Sequence, residues 1–324
     1  MDSVDYSIII PHKNIPELLQ RCINSIPQRD DLEIIVVDNN SSPELVDFDH
    51  FPGMDRSEVV MVRDNVSKGA GGARNTGVAI ARGKWILFID ADDMFNDCIN
   101  QILDDYKYVT DFDVVYFDIS YLISVNPNIE KNGISRIHQI IELHEKQPEI
   151  AENLFRYSYF YPWGKLIDRQ LFSKEGVFFE DSIIMNDVAF SYRLGYYAKK
   201  ISIDDRKIQS VIMRQGSVSC NQSVDSYLER IRIKTEADCF YKEHFIPVTY
   251  LGYNNYLFFF KMILKFPLSF HKGIDVIHRS GKNYAQIIAE LLYAGAWLLW
   301  RKIVKMIGFK YMLPKKYYED KAIN

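Results

Sequence analysis

Four short apolar runs, separated by helix-period or turn-forming segments, constrain the fold of this chain more than any other feature. They are Tyr6-Ser-Ile-Ile-Ile-Pro11, Leu32-Glu-Ile-Ile-Val-Val37, Val59-Val-Met-Val62 and Trp85-Ile-Leu-Phe-Ile89. Short runs rich in β-branched residues with little polar alternation are the pattern of strands buried on both faces. Between the first two, Leu18, Leu19, Cys22, Ile23 and Ile26 recur at helical spacing, which predicts a helix over 16–26. A glycine-rich turn and a helix from about Ala73 to Ala81 separate the last two. This alternation predicts an α/β fold, with a mostly parallel sheet flanked by helices and joined by right-handed crossovers. In such sheets ligands collect at the carboxyl ends of the strands. Asp38, the glycine-rich stretch at 68–77 and Asp90–Asp93 all stand at strand ends, so they outline an expected nucleotide site.

Farther along, Asp113–Phe117 reads as a strand, and 123–150 as loop with one helix. A helix near 183–198 and two short strands around 200–213 follow. From about 224 the pattern is helical, aromatic and increasingly basic. The expected organisation is therefore a nucleotide-binding half (1–110), an acceptor half of the same domain (111–222) and a helical, basic extension (223–324).

The composition, 48% hydrophobic and 25% charged, is too apolar for disorder. A net charge of -4 gives no global reason to expect nucleic-acid binding. Local charge is uneven, since residues 261–324 hold 12 Lys/Arg against 4 Asp/Glu. Cys22, Cys98, Cys220 and Cys239 are widely spaced without a Cys-x-x-Cys pair, which argues against a disulfide framework and fits a reducing cytosol. Met1-Asp-Ser-Val-Asp-Tyr has neither the basic nor the apolar region of a signal peptide. No stretch of ~20 residues is free of charge, so no spanning helix is expected.

Three carboxylates in Asp90-Ala-Asp92-Asp93 repel one another unless a cation or a positive group neutralises them. A hard divalent ion such as Mg²⁺ or Mn²⁺ takes few protein oxygens plus substrate phosphates, and it fits such a turn. The competing reading is an acidic turn capping a helix near Asn96. Lys68-Gly-Ala-Gly-Gly-Ala-Arg-Asn-Thr-Gly77 is neither a P-loop nor a dinucleotide fingerprint, because it lacks the Lys-Ser/Thr ending and follows the third strand. Its glycines allow close approach of backbone to a ligand, and Lys68 and Arg74 are candidate phosphate partners. His12, His138, His144, His244, His271 and His278 show no metal-ligand spacing.

These stretches together resemble family 2 glycosyltransferases of the GT-A fold. The resemblance rests on Ser7-Ile-Ile-Ile-Pro-His-Lys-Asn14, Glu33-Ile-Ile-Val-Val-Asp38-Asn-Asn-Ser-Ser, Ala73-Arg-Asn-Thr-Gly77 and Gly83-Lys-Trp-Ile-Leu-Phe-Ile-Asp-Ala-Asp-Asp93, four motifs in the family's order. It implies a metal-dependent, inverting transferase that takes a nucleotide-sugar donor, UDP-linked by preference. By that resemblance Asp38 holds the base, and Pro11 and its neighbours line the nucleoside pocket. Asp92 binds the metal with Asp90 and Asp93 beside it, and Asp90 and Arg74 lie near the donor. Asn39 and His12 depart from the acid and the tyrosine common in relatives. More loosely, Tyr161-Pro-Trp163-Gly-Lys165 resembles an element bordering the acceptor cleft. Asn186-Asp187 resembles a Glu-Asp motif whose aspartate is the general base, with asparagine replacing the glutamate. Arg214, before Ser217-Val-Ser219, matches a position that meets the diphosphate. Read without the resemblance, Asp187 is a first-turn helix acid.

The tail mixes Tyr256-Leu-Phe-Phe-Phe260 and the apolar stretch Tyr284–Trp300 with a basic flank. That is the pattern of helices lying in a membrane interface or packed on protein. The expected enzyme is cytoplasmic, peripheral on the inner face of the membrane, and acts on a glycan or lipid-linked acceptor in polysaccharide biosynthesis. A nucleotidyltransferase and a catalytically silent nucleotide-sugar-binding scaffold are the alternatives. The identity of the sugar is not legible.

Overall fold

The apolar run at Tyr6–His12 forms β1, buried along nearly its whole length, and Leu32–Asp38 forms β2 beside it. The two pair in parallel, with His12 opposite Asp38 at their carboxyl ends. The structure, a computed structural model, describes residues 4–123, 126–130, 136–213, 223–251 and 256–306. Helix α1 (Pro16–Asn24) joins these strands, with proline at its start and Leu19, Cys22 and Ile23 turned into the core. Next come β3 (Val59–Arg63), α2 (Gly69–Ile80) and β4 (Trp85–Phe88). They pair in the order β3-β2-β1-β4, all parallel, as expected of a mostly parallel sheet.

Beyond β4 the sheet becomes mixed. A short β5 (Met94–Phe95) and α3 (Ile99–Tyr106) follow the acidic turn, so that turn caps no helix at Asn96. Then come β6 (Val114–Ile123), β7 (Asn126–Glu130), α4 (Arg136–His144), α5 (Pro148–Ser158) and β8 (Lys165–Asp168). Helix α6 (Asp187–Tyr197) and β9 (Ile201–Met213) complete this part. The strand order continues from β4 through β8, β6 and β9 to β5, with β7 on β6. Strand β8 is antiparallel to both neighbours and β9 runs parallel to β6. The region read as loop with one helix thus holds a hairpin and two helices, and the two short strands expected at 200–213 are one long strand.

The chain divides into two compact units, Met1–Val218 and Ser219–Asn324. The first contains the sheet and a core built from Ile8, Ile10, Ile34, Val36, Trp85, Leu87 and Phe117 among others. The second is helical. It comprises α7 (Val224–Glu243), whose N-cap Ser223 accepts the Ser226 amide, α8 (Tyr256–Lys265), α9 (Phe270–Arg279) and α10 (Tyr284–Met306). Its own core joins Tyr227, Ile231, Tyr256, Phe259, Met262, Ile277, Ile287 and Ala294. Among the described residues no helix is long and apolar enough to cross a membrane. Arg214 and the basic residues of the last turn of chain, Lys310, Lys315 and Lys316, lie outside the described residues.

Candidate active site

At the carboxyl end of β2 the Asp38 carboxylate is fully buried. His12 Nδ1 lies 2.8 Å from Asp38 Oδ2, while His12 Nε2 accepts the Ile15 amide at 3.2 Å. The ring proton therefore sits on Nδ1 and is donated to Asp38. The Ser41 hydroxyl donates to the same oxygen at 2.6 Å, and the Ser41 amide donates to Oδ1 at 3.1 Å. Burial opposes ionisation of Asp38, but these donors outweigh it and lower its pKa. Pro11, one register step before His12, stands opposite Val37.

Asn39 is buried beside them and donates its amide to the Asp64 carbonyl (3.3 Å), the Ser67 carbonyl (3.0 Å) and Ser67 Oγ (3.3 Å). A carboxylate here would face acceptors with nothing to give, which accounts for asparagine in place of an acid. Asn39→Asp is expected to cost about 2–3 kcal/mol at neutral pH, the penalty of burying an unsatisfied, charged acceptor. Urea unfolding measures it, and an unchanged midpoint would refute this account.

Helix α2 begins at Gly69, earlier than the pattern suggests, so most of the glycine stretch is helical. The close approach its glycines permit is to the chain itself: a Cβ at Gly71 would stand 2.4 Å from the Glu180 carbonyl oxygen and 2.8 Å from Asn186 Cβ. Exposed Lys68 gives its backbone amide to the Asp181 carboxylate. Asn75 exchanges two hydrogen bonds with the Phe179 backbone, at 2.8 and 2.9 Å, and Thr76 donates to Asp64 at 2.7 Å. The Ala-Arg-Asn-Thr-Gly motif thus clamps the 179–186 segment onto the sheet edge.

Within that clamp Arg74, nearly fully buried, pairs with Asp90 and donates to Asn186 Oδ1 at 3.3 Å, with its guanidinium 5.3 Å from the Phe179 ring centre. Asp90 is about one-third exposed. Asp93 turns away: it is buried and accepts the Ile212 amide at 2.8 Å, tying the acidic turn to β9. Burial first, and then Asp90, push its pKa well up. Between them the Asp92 backbone carbonyl accepts a hydrogen bond from the Arg21 guanidinium at 2.6 Å. Among the described residues no three His, Cys, Asp or Glu side chains form a metal cage.

Asp187 opens α6, next to the Asn186 that Arg74 holds. Burial raises its pKa to about 6, against the opposing influence of Arg74 and Lys165. Lys165 at the start of β8 is fully buried and donates to the carbonyls of Tyr159 and Tyr161. Its ammonium lies 4.7 Å from the Tyr159 ring centre and 5.6 Å from that of Tyr116. Burial lowers its pKa to about 7. Trp163 is buried and stacks on half-exposed Tyr161 at 4.4 Å, with 13° between the rings. Asp90 just beyond β4, Arg74 of α2 and Lys165 of β8 therefore all act electrostatically on Asp187 of α6. The sequence reading missed the supporting partners Ser41, Asp64, Asn75 and Phe179. The Asn-Ser-Ser run after β2 was the signal available for Ser41.

A family model described as "Glycosyl transferase family 2" matches residues 7–175. The uncharacterized glycosyltransferase EpsJ of Bacillus subtilis (strain 168) is 29% identical over 184 residues, covering 55% of this chain and 52% of that protein. The poly(ribitol-phosphate) beta-glucosyltransferase of Bacillus spizizenii is 36% identical over 92 residues, 27% of this chain and 14% of its own. This chain thus spans about half the length of EpsJ and much less of the second relative. In fold it is similar to S. aureus TarS 1-349 in complex with UDP-GlcNAc, with a TM-score of 0.55 at 19% identity over 71% of this chain and 65% of that one.

Proposed function

Because the chain belongs to glycosyl transferase family 2 and is a glycosyltransferase, we propose that it moves a sugar from a UDP-sugar to a hydroxyl of a glycan or lipid-linked acceptor, with inversion. The observation that supports this reading is the Arg74–Asp90 pair, with Arg74 also holding Asn186 beside Asp187, a carboxyl group on which Arg74, Lys165 and Asp90 all act and whose pKa burial raises to about 6. UDP is the preferred nucleotide because the structurally similar TarS binds UDP-GlcNAc and UDP.

In this reading Asp38 and the backbone near Pro11 receive the nucleoside, and Arg74 and Lys68 face the diphosphate, with Arg214 as a further partner. Asp92 and Asp90 would hold Mn²⁺ or Mg²⁺ together with the diphosphate, and the cation's contribution is to neutralise charge on the departing nucleotide. Asp93 braces the turn. Trp163 and Tyr161 offer an aromatic face on which an acceptor sugar can stack, and Lys165 sets the charge behind it. Asp187 takes the proton of the acceptor hydroxyl. The acceptor oxygen then bonds to the anomeric carbon while the bond to the diphosphate oxygen breaks and its electron pair leaves with the nucleotide. One in-line displacement inverts the anomeric centre. The same reading includes peripheral contact with the inner membrane face through the C-terminal helices.

Calorimetric titration with UDP, GDP, dTDP and CDP, each with Mn²⁺ and with chelator, tests the proposal. Metal-dependent binding of UDP is expected, and Asp92→Ala is expected to abolish the metal dependence. A folded protein that binds no nucleotide would overturn the donor site, and equal affinity with and without chelator would remove Asp92 from it.

A further inference from the structure

In the C-terminal unit α8, the short turn Pro267–Ser269 and α9 form a helical hairpin whose two faces differ in chemistry. The inner face is committed to the core through Tyr256, Phe259 and Met262 of α8 and Ile277 of α9. Helix α9 presses close enough that a Cβ at Gly273 would stand 2.7 Å from Phe259 ring carbons and 2.8 Å from Met262 Cε, so only glycine fits this approach. The outer face carries large apolar side chains: Leu264 is 84% exposed and Leu268 91%, while Phe270, 50% exposed, sets one edge of its ring against core Phe259 at 5.5 Å and leaves the rest to solvent. Isolated exposed leucines are ordinary on a protein surface. Here they cluster at one turn, among exposed Lys261, Lys265, His271 and Lys272. No Asp or Glu occurs between Glu243 and Asp275.

We propose that this turn is the membrane-binding wedge of the protein, seating Leu264, Leu268 and Phe270 at the boundary of headgroups and acyl chains while Lys261, Lys265 and Lys272 meet lipid phosphates. It deepens the membrane part of the function proposed above and assigns that contact to one surface. Lysines place their stems along apolar surface and their charges at its edge, which matches an anionic bilayer. A second copy of the chain fits poorly, because a two-fold pairing through this turn would set the same lysines against one another. Helices α8 and α9 are 10 residues each, too short to span a bilayer, so the contact at their turn is interfacial.

Flotation of the full chain with phosphatidylcholine vesicles, and with vesicles also containing phosphatidylglycerol, tests the inference at low and high salt. The expected result is binding to the anionic vesicles that weakens with salt. Combined Leu264→Ser and Leu268→Ser should weaken it about tenfold or more, and Lys261→Gln, Lys265→Gln and Lys272→Gln should remove the preference for anionic lipid. These positions are exposed, so circular dichroism and UDP affinity should not change. Wild-type protein that does not float overturns the membrane reading as a whole. Flotation equal in wild type and the serine variant overturns the wedge, and so does a serine variant that changes oligomeric state but not flotation. Protein that floats yet binds no nucleotide overturns the donor site and leaves the wedge standing.

Discussion

Replacing Asp187 with asparagine is expected to leave UDP affinity nearly unchanged and to slow transfer about 10²–10⁴-fold, the usual contribution of a general base. The substitution keeps the shape of the side chain and its place at the first turn of α6, but it removes the carboxylate proposed to take the acceptor's proton. Single-turnover measurements with saturating donor separate this loss from binding. Wild-type transfer by the variant would move the base elsewhere.

As the proposed base, the same residue should set the pH dependence. A carboxyl group with a pKa raised to about 6 works as a base only when ionised, so the wild-type rate should fall as pH drops through about 6. Stability moves the opposite way. Because the folded pKa lies above the ordinary 3.8, the folded state holds the proton more tightly, and stability declines as pH rises from about 4 through about 6. Above that window the ionised group costs about 1–3 kcal/mol, whereas below it the cost vanishes. Asp187→Asn should therefore unfold at higher temperature than wild type at pH 7.5 and at the same temperature near pH 4. A helix-terminal acid that only met the dipole would give the reverse, with the variant about 0.3–1 kcal/mol less stable at neutral pH.

The parallel half of the sheet was legible because its strands are short β-branched runs that announce themselves locally. The other half was not, because its strands are defined by partners distant in sequence. Strand β9 carries Asp204-Asp205-Arg206-Lys207 in its middle, which reads as a break between two strands. In the fold Arg206 pairs with Asp204 and with Asp105, so the charges are held at the surface while the strand continues. Register shifts in β6 around Asp118 accommodate the irregularity. The glycine stretch shows another limit: its composition announces a close approach but not what approaches, and here the neighbour is the Glu180–Asn186 segment. Nor does Lys165 reveal in sequence that burial between Tyr116 and Tyr159 brings its pKa to about 7. That Asp38 and Asp90 stand at strand ends could be read locally, whereas the inward turn of Asp93 depends on a β9 amide far along the chain.

Arg74→Met should be the most damaging change at the site that leaves every carboxylate in place. Arg74 neutralises Asp90, holds the Asn186 side chain that precedes Asp187, and lowers the pKa of Asp187 through its field. Its loss should destabilise the fold by about 2–4 kcal/mol, since Asp90 and the Asn186 carbonyl lose a buried charged partner. Transfer should fall at least about 10²-fold, as expected when a group facing developing phosphate charge is removed. Two further readouts separate this role from general instability. The acid limb of the pH–rate profile should move above about 6, because one of the influences holding Asp187 down is gone. Affinities should move in opposite directions: nucleotide binding weakens, while Mn²⁺ binding without nucleotide strengthens as Asp90 loses its cation. Arg74→Lys should recover the charge beside Asp90 but not the fork that reaches Asn186, restoring stability more than rate. An Arg74→Met protein with an unshifted pH profile and parallel losses of metal and nucleotide affinity would mean that the arginine only packs the 179–186 segment.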